Sequence, residues 1–385
     1  MVEARDPFNS LSLAELRTRT SEKWATYPED VLPAFVAEMD FPLADPIKHV
    51  LLEAVEHGDT GYAFAQALPG AFAEFARAWF DWTVDPARVF VVPDVIVGVA
   101  EALSVITKPG SGVVVDAPTY PPFFTAIPEY ERKVVNVPLL RTPRGWDLNF
   151  DALESAFKAG AQAYLLCNPH NPTGRVFSRA DLERVAGLAA RYGVAVLSDE
   201  NHAPLTLAGA IHTPFVSLGE EIASNAVTVI SAAKAFNLAG LKCAVVVAGS
   251  DEMRTRLTKL PRALPFRASH FGVLAAIAAY RQGSDWLRSL NAHLDRNRKL
   301  LAQLLAAQLP AIRYIPPEAS YLAWLDCTDL GLGRDPAAHF LKHGRVALTG
   351  GLHFGPTGDG FARLNIGTTS ALLTEAVARM AASLA

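Results

Sequence analysis

Five short stretches hold most of the polar groups that could do chemistry, and each follows a run of β-branched residues. Asn168-Pro-His-Asn-Pro-Thr-Gly174 follows Ala163–Cys167. Its two Asn-Pro steps and closing Gly predict a rigid turn that fixes side-chain amides at a strand end. Asp199-Glu-Asn-His202 follows Val194–Ser198 and sets two adjacent acids at the next strand end. Ser231-Ala-Ala-Lys-Ala-Phe-Asn-Leu-Ala-Gly-Leu-Lys242 follows the run that begins at Val227, with Lys234 between alanines. A lysine in a partly apolar site has a lowered pKa and becomes a nucleophilic amine able to form a Schiff base. After Val89–Val92, Pro93-Asp-Val-Ile-Val-Gly98 opens a helix whose free N–H groups can hold a phosphate. Tyr120, braced by prolines in Ala117-Pro-Thr-Tyr-Pro-Pro-Phe123, can stack on a planar ligand.

Taken singly, each stretch has an ordinary reading. Asn-Pro is a turn former, paired acids cap helices, and an isolated lysine sits on a surface. Asp94 reads as an N-cap and Tyr120 as a packed aromatic. Their order carries more than any one of them. Asn171 is followed by an acid 28 residues on and by Lys234 another 35 beyond it.

These groups need elements that bring them together. Strand candidates are Val89–Val92, Val113–Asp116, Val134–Val137, Ala163–Cys167, Val194–Ser198, Val227–Ser231 and Ala244–Ala248, with helices at Val95–Ile106, Phe150–Ala159 and Ser178–Tyr192 between them. Several strands are apolar throughout, which suits a parallel sheet covered by helices on both faces. In such sheets ligands gather at the carboxyl ends of the strands. After about Pro265 the rhythm becomes α+β. Helices are expected at Ala275–Arg281, Asp285–Leu309 and Ser370–Ala382, and strands at Ile312–Ile315, Tyr321–Asp326, Arg345–Thr349 and Ala362–Ile366. The expected organisation is an arm at 1–45 joining a small domain at 276–385, beside a large domain at 46–275.

Composition bounds the rest. The 385 residues are 50% hydrophobic and 19% charged, enough for a large core, and a net charge of −4 removes the electrostatic reason to expect nucleic acid or anionic membrane as partner. The Met1–Pro7 opening lacks an apolar run, so no signal peptide is expected, and no run reaches bilayer-spanning length. Cys167, Cys243 and Cys327 are too few for a disulfide scaffold and are expected to be small buried residues in a reducing, cytoplasmic compartment. No metal site is expected, because Cys167 and His170 lack a partnering ligand pair.

The order Asn171, Asp199, Lys234 resembles the layout of a pyridoxal 5′-phosphate (PLP) site. The chain is similar to fold-type I PLP enzymes of the aminotransferase class I/II superfamily, and most resembles the MalY/PatB-type cystathionine β-lyase (C–S lyase) branch. The resemblance runs through Ser21–Trp24, Ala37-Glu-Met-Asp-Phe41, Gly61-Tyr-Ala-Phe64, Pro118–Pro122, Asn168–Gly174, Ser198–His202, Ser231–Leu241 and Phe361–Asn365. It implies an aspartate aminotransferase-like α/β fold and β-elimination from cystathionine or another S-substituted cysteine. Transamination of an α-amino acid is the alternative, and a non-catalytic regulatory binding protein the remote one. With no helix-turn-helix before residue 45, a regulator carrying its own DNA-binding domain is not expected.

The resemblance also assigns roles. Lys234 would carry the cofactor and then take the substrate Cα proton. Asp199 would pair with the ring nitrogen, Asn171 with the phenolic oxygen, and His202 would lie near that same oxygen. Tyr120 would stack on the ring. Val95 and Ile96 N–H groups, the Ser231 hydroxyl and Lys242 would hold the phosphate. Tyr62 would reach the phosphate of a neighbouring subunit in a homodimer. Arg363 would clamp the substrate carboxylate, with Ala37, Asn171 and Tyr120 also lining the substrate. Two residues depart from the family pattern. Asp94 stands where Gly is usual and is expected to point away as an N-cap. Asn201 stands where the branch usually has an apolar residue.

Overall fold

The computed structural model describes residues 6–385; the Met1–Arg5 part of the opening segment lies outside the described residues. A seven-stranded sheet runs in the order Val89–Val92, Ala244–Ala248, Ala226–Ile230, Ala195–Asp199, Ala163–Cys167, Gly112–Ala117, Lys133–Pro138. All neighbours are parallel except Ala244–Ala248, which is antiparallel to both of its partners.

Its inner strands are buried and largely apolar because both faces are covered, whereas the edge strand Lys133–Pro138 is mostly exposed or half-buried. Tyr164 and Leu166 join the main core on one face, while Ala163, Leu165 and Cys167 face a second core on the other. Helix Val95–Ile106 packs on that second face through Val95, Val99, Leu103 and Ile106. It starts where the Asp94 carboxylate accepts from Val97 N–H at 2.9 Å. Helix Arg179–Tyr192 covers the first face through Leu182, Val185, Ala186 and Ala189. A reciprocal Ser178–Asp181 cap opens it, and left-handed Gly193 closes it.

The C-terminal third carries the long helix Ser284–Gln308 and a four-stranded antiparallel sheet, ordered Arg313–Tyr314, Leu322–Asp326, Phe361–Asn365, Thr349–Gly350. Near the start of the chain, Leu32–Pro33 pairs in parallel with Val346–Ala347 and laces the two ends of the sequence together. Among the described residues no helix is long and apolar enough to cross a membrane. The three cysteines are buried and unpaired.

One local expectation needs correction. The strand expected at Arg345–Thr349 is two short pieces in different sheets, Val346–Ala347 beside the arm and Thr349–Gly350 beside Phe361–Asn365. A run of β-branched and apolar residues does not reveal that its pairing partner changes at Leu348. The proline-rich stretch after Tyr120 continues as helix Pro122–Glu129. Proline in a first turn loses no helical hydrogen bond, and Pro128 comes only at the last turn.

Candidate active site

The parallel strands end at Val92, Ala117, Cys167, Asp199 and Ile230, so the five stretches singled out in the sequence meet along one edge of the sheet. Lys242 reaches the same edge for the opposite reason. Its strand runs antiparallel, with Ala244 opposite Val92 and Val245 opposite Ile230, so the residues before that strand meet the residues after its neighbours.

Between Val95, Ile96, Tyr120, Ser231, Lys234 and Lys242 lies a cavity of about 300 Å³, at the lower end of small-molecule sites. Lys234 is half-buried, and its Nζ donates to Ala37 O at 3.0 Å. Burial first, and the nearby Arg363 guanidinium second, pull its pKa down to about 8. Asp199 is buried, and burial pushes its carboxyl up to about 7 although it accepts from Asn201 N–H at 3.0 Å. Such a carboxylate lacks a strong donor, which a protonated ring nitrogen would supply. Burial also raises Tyr120 to about 12, so it presents a neutral phenol. Val95 and Ile96 open their helix with N–H groups that have no helical partner. An amine of depressed pKa, a buried acid without a charged donor, an aromatic face and free N–H groups fit the ends and the ring of PLP.

Arg363 lies on the C-terminal sheet and is buried. Its Nη1 donates to Asn171 Oδ1 at 3.0 Å, and its Nη2 to Phe35 O at 3.0 Å and Thr349 Oγ1 at 3.4 Å. The guanidinium stands over the Phe354 ring at 4.8 Å, and its Nε has no partner. Burial lowers its pKa to about 10. No carboxylate among the described residues neutralises it. A buried cation of this kind costs several kcal/mol unless a partner arrives, and a substrate carboxylate is such a partner.

The arm closes this end of the site. Lys23 and Asp40 form a buried ion pair at 2.7 Å, and Trp24 Nε1 donates to the other Asp40 oxygen at 3.0 Å. Asn237 holds Met39 at both N–H and carbonyl, at 2.8 and 2.9 Å. Asn365 Nδ2 donates to Val36 O at 2.7 Å and Glu38 O at 2.6 Å. The two amides follow Lys234 and Arg363 by three and two residues, so the arm is gripped beside both charges. Tyr321, fully buried, donates to Ala37 O at 2.9 Å.

The structure therefore brings Lys234, Asp199, Asn171, Tyr120, Val95, Ile96, Ser231, Lys242, Arg363 and Ala37 together. His202 stands behind this group: its Nδ1 meets Ser320 Oγ at 2.9 Å and its ring lies against Tyr321. Burial lowers its pKa to about 3 and keeps it neutral. Tyr62 does not reach this cavity and is 88% exposed. Asp94 caps its helix as expected, but it does not point away: it lines the cavity, because its second oxygen pairs with Lys242 Nζ at 3.2 Å. Sequence reasoning did not single out Tyr321, Asn237, Lys23 and Asp40. The motifs around Lys23, Asp40, Asn237 and Asn365 were visible, but their partners lie up to 329 residues away.

The profile of the aminotransferase class I and II family matches residues 39–380, and the chain belongs to that family. A Mycobacterium leprae protein with the provisional name of cystathionine beta-lyase is 44% identical over 98% of both chains. Cystathionine beta-lyase PatB of Bacillus subtilis is 35% identical over 92% of this chain and 93% of its own. The structure of cystalysin from Treponema denticola, which contains a pyridoxal 5′-phosphate cofactor, superposes with a TM-score of 0.91 at 26% identity and 98% coverage of both chains.

Proposed function

We propose that this chain is a PLP-dependent carbon–sulfur β-lyase that converts cystathionine or another S-substituted L-cysteine to a thiol, pyruvate and ammonia. The observation that carries the reading is Arg363, a buried guanidinium without a carboxylate partner, joined through Asn171 to the edge that holds the depressed Lys234 amine. The lyase names of relatives at 35% and 44% identity support the sulfur substrate.

When bound, PLP supplies an electron sink for the charge left when the Cα proton departs. Lys234 takes that proton, and its pKa of about 8 suits the task near neutral pH. Asp199 holds a proton at the ring nitrogen, and Asn171 donates to the ring's phenolic oxygen while its own carbonyl holds Arg363. His202, fixed through Ser320, would lie near that same oxygen. Tyr120 stacks on the ring. Val95, Ile96, Ser231 and Lys242 hold the phosphate. Arg363 binds the α-carboxylate, with Ala37 and Tyr120 beside it, and the substrate Cα–H is turned toward Lys234. With that chemistry supplied, the Cβ–S bond would break with its electron pair leaving on sulfur, and the uptake of one water would balance the products as thiol, pyruvate and ammonia.

Aminotransferase activity is the second reading, favoured by the family match over residues 39–380. The proposal includes a division into an arm at 1–45, a large domain at 46–275 and a small one at 276–385, supported by the pairing of Leu32–Pro33 with Val346–Ala347. It also includes a cytoplasmic homodimer in which Tyr62 serves the neighbouring subunit's phosphate, supported by the exposure of Tyr62.

An absorbance scan of the purified protein, followed by L-cystathionine, tests the reading. A visible band that Lys234→Ala abolishes or shifts, with pyruvate and free thiol released, is the expected result. No band after added PLP overturns the cofactor assignment. Keto acid without thiol moves the answer to transamination.

A further inference from the structure

The phosphate end of the cavity has two side-chain donors, Lys242 and Ser231, and both are already occupied from within the chain. Lys242 Nζ donates to Asp94 Oδ2 at 3.2 Å. Ser231 Oγ donates to Asn201 Oδ1 at 2.6 Å, and itself accepts from Ala233 N–H at 3.1 Å. Asp94 is fixed in place because its Oδ1 caps the helix at Val97 N–H. Asn201 is fixed because its own N–H is bound to Asp199. The acceptors that take up the two donors are thus Asp94 and Asn201. A phosphate dianion entering here must compete with a carboxylate for Lys242 and with an amide oxygen for the Ser231 proton.

We propose that Asp94 and Asn201 act as internal stand-ins for the cofactor phosphate, so that the cofactor-free site is self-satisfied and PLP is held loosely and exchangeably at its phosphate end. The inference rests on the PLP reading above. It makes Asp94 and Asn201 positioning residues that act through Lys242 and Ser231. Asp94 sits partly exposed, and its charge faces the incoming dianion with the same sign. Two like charges about 4 Å apart in water repel by about 1 kcal/mol, about fivefold in a dissociation constant.

The test is a binding titration of cofactor-free protein, read by absorbance and by quenching of intrinsic fluorescence, with PLP and separately with pyridoxal, which lacks the phosphate. Asp94→Asn keeps the capping oxygen and removes the charge. It is expected to tighten PLP about fivefold or more and leave pyridoxal unchanged. Asn201→Ala keeps the backbone bond to Asp199, frees Ser231 and is expected to act in the same direction; it carries the test if thermal melting shows Asp94→Asn to be unfolded. Unchanged or weaker PLP binding overturns the inference, as does equal tightening of both ligands. Wild-type protein that takes up neither ligand overturns the cofactor reading and this inference with it, whereas wild-type uptake of PLP without a variant effect overturns the inference alone.

Discussion

At the scale of single residues, the site is a set of charges kept out of water. Asp199 shows how this reaches stability. Burial raises its carboxyl from the ordinary 3.8 to about 7. Between those values the folded state holds more protons than the unfolded one, so this group's contribution falls as pH rises from about 4 to about 7. In the cofactor-free protein, Asp199→Asn should remove that slope. Melting temperatures of both proteins at about pH 5 and pH 7.5 check it; an unchanged difference between them rejects it. Arg363 gives the second expectation. Arg363→Gln leaves the cavity lining intact and removes the cation for the substrate carboxylate. The visible band should persist while kcat/KM falls roughly a hundredfold, since a buried charged hydrogen-bonded partner is worth about 2–5 kcal/mol. Steady-state kinetics beside an absorbance scan separate this from cofactor loss. Asn171, Asp199 and Lys234 were legible in the sequence because each ends a strand or follows one by four residues, and strand ends in a parallel sheet meet at one edge. Arg363 was legible only through resemblance, since it comes from another sheet.

At the scale of elements, the arm is the segment with the least regular structure and the most specific anchoring. The sequence shows Ala37–Phe41 as a motif without showing what it touches. Its partners are amides on Asn237 and Asn365 and the buried Lys23–Asp40 pair, formed between groups distant in sequence and without helical or strand periodicity. Most strands of the large sheet, in contrast, were readable within one or two residues because burial on both faces leaves a continuous apolar pattern, whereas the helix expected at Ala275–Arg281 begins at His270. Lys23→Met should destabilise the fold by about 3–5 kcal/mol, because it leaves Asp40 charged, buried and unpaired. Urea unfolding measures this, and the double variant Lys23→Met/Asp40→Leu should recover much of the loss. Gly174 is the other fixed point. It adopts φ +70, and a Cβ there would stand 2.2 Å from Pro317 Cβ. That close approach docks the Asn171 turn against the C-terminal segment, where Glu318 and Ala319 N–H both donate to Gly174 O.

At the scale of the whole molecule, the question is what covers the exposed apolar groups between residues 45 and 67. Leu52, Val55, Tyr62 and Phe64 are exposed there, Phe64 to 70%. The proposed homodimer would cover them. Phe64→Asp should shift the protein toward monomer in analytical ultracentrifugation and weaken PLP binding, if Tyr62 serves the other subunit. A variant that remains dimeric with unchanged cofactor affinity counts against this surface. The span of the site along the chain has a further consequence. The candidate cofactor groups of one chain, apart from Tyr62, lie between Val95 and Lys242, whereas the carboxylate clamp needs Phe35 from the beginning and Arg363 from near the end. A ribosome will have released the whole cofactor edge long before the residue that recognises an amino acid is made. During synthesis, the vitamin-derived group can be captured first, and the ability to act on a metabolite arrives only once Arg363 has been made.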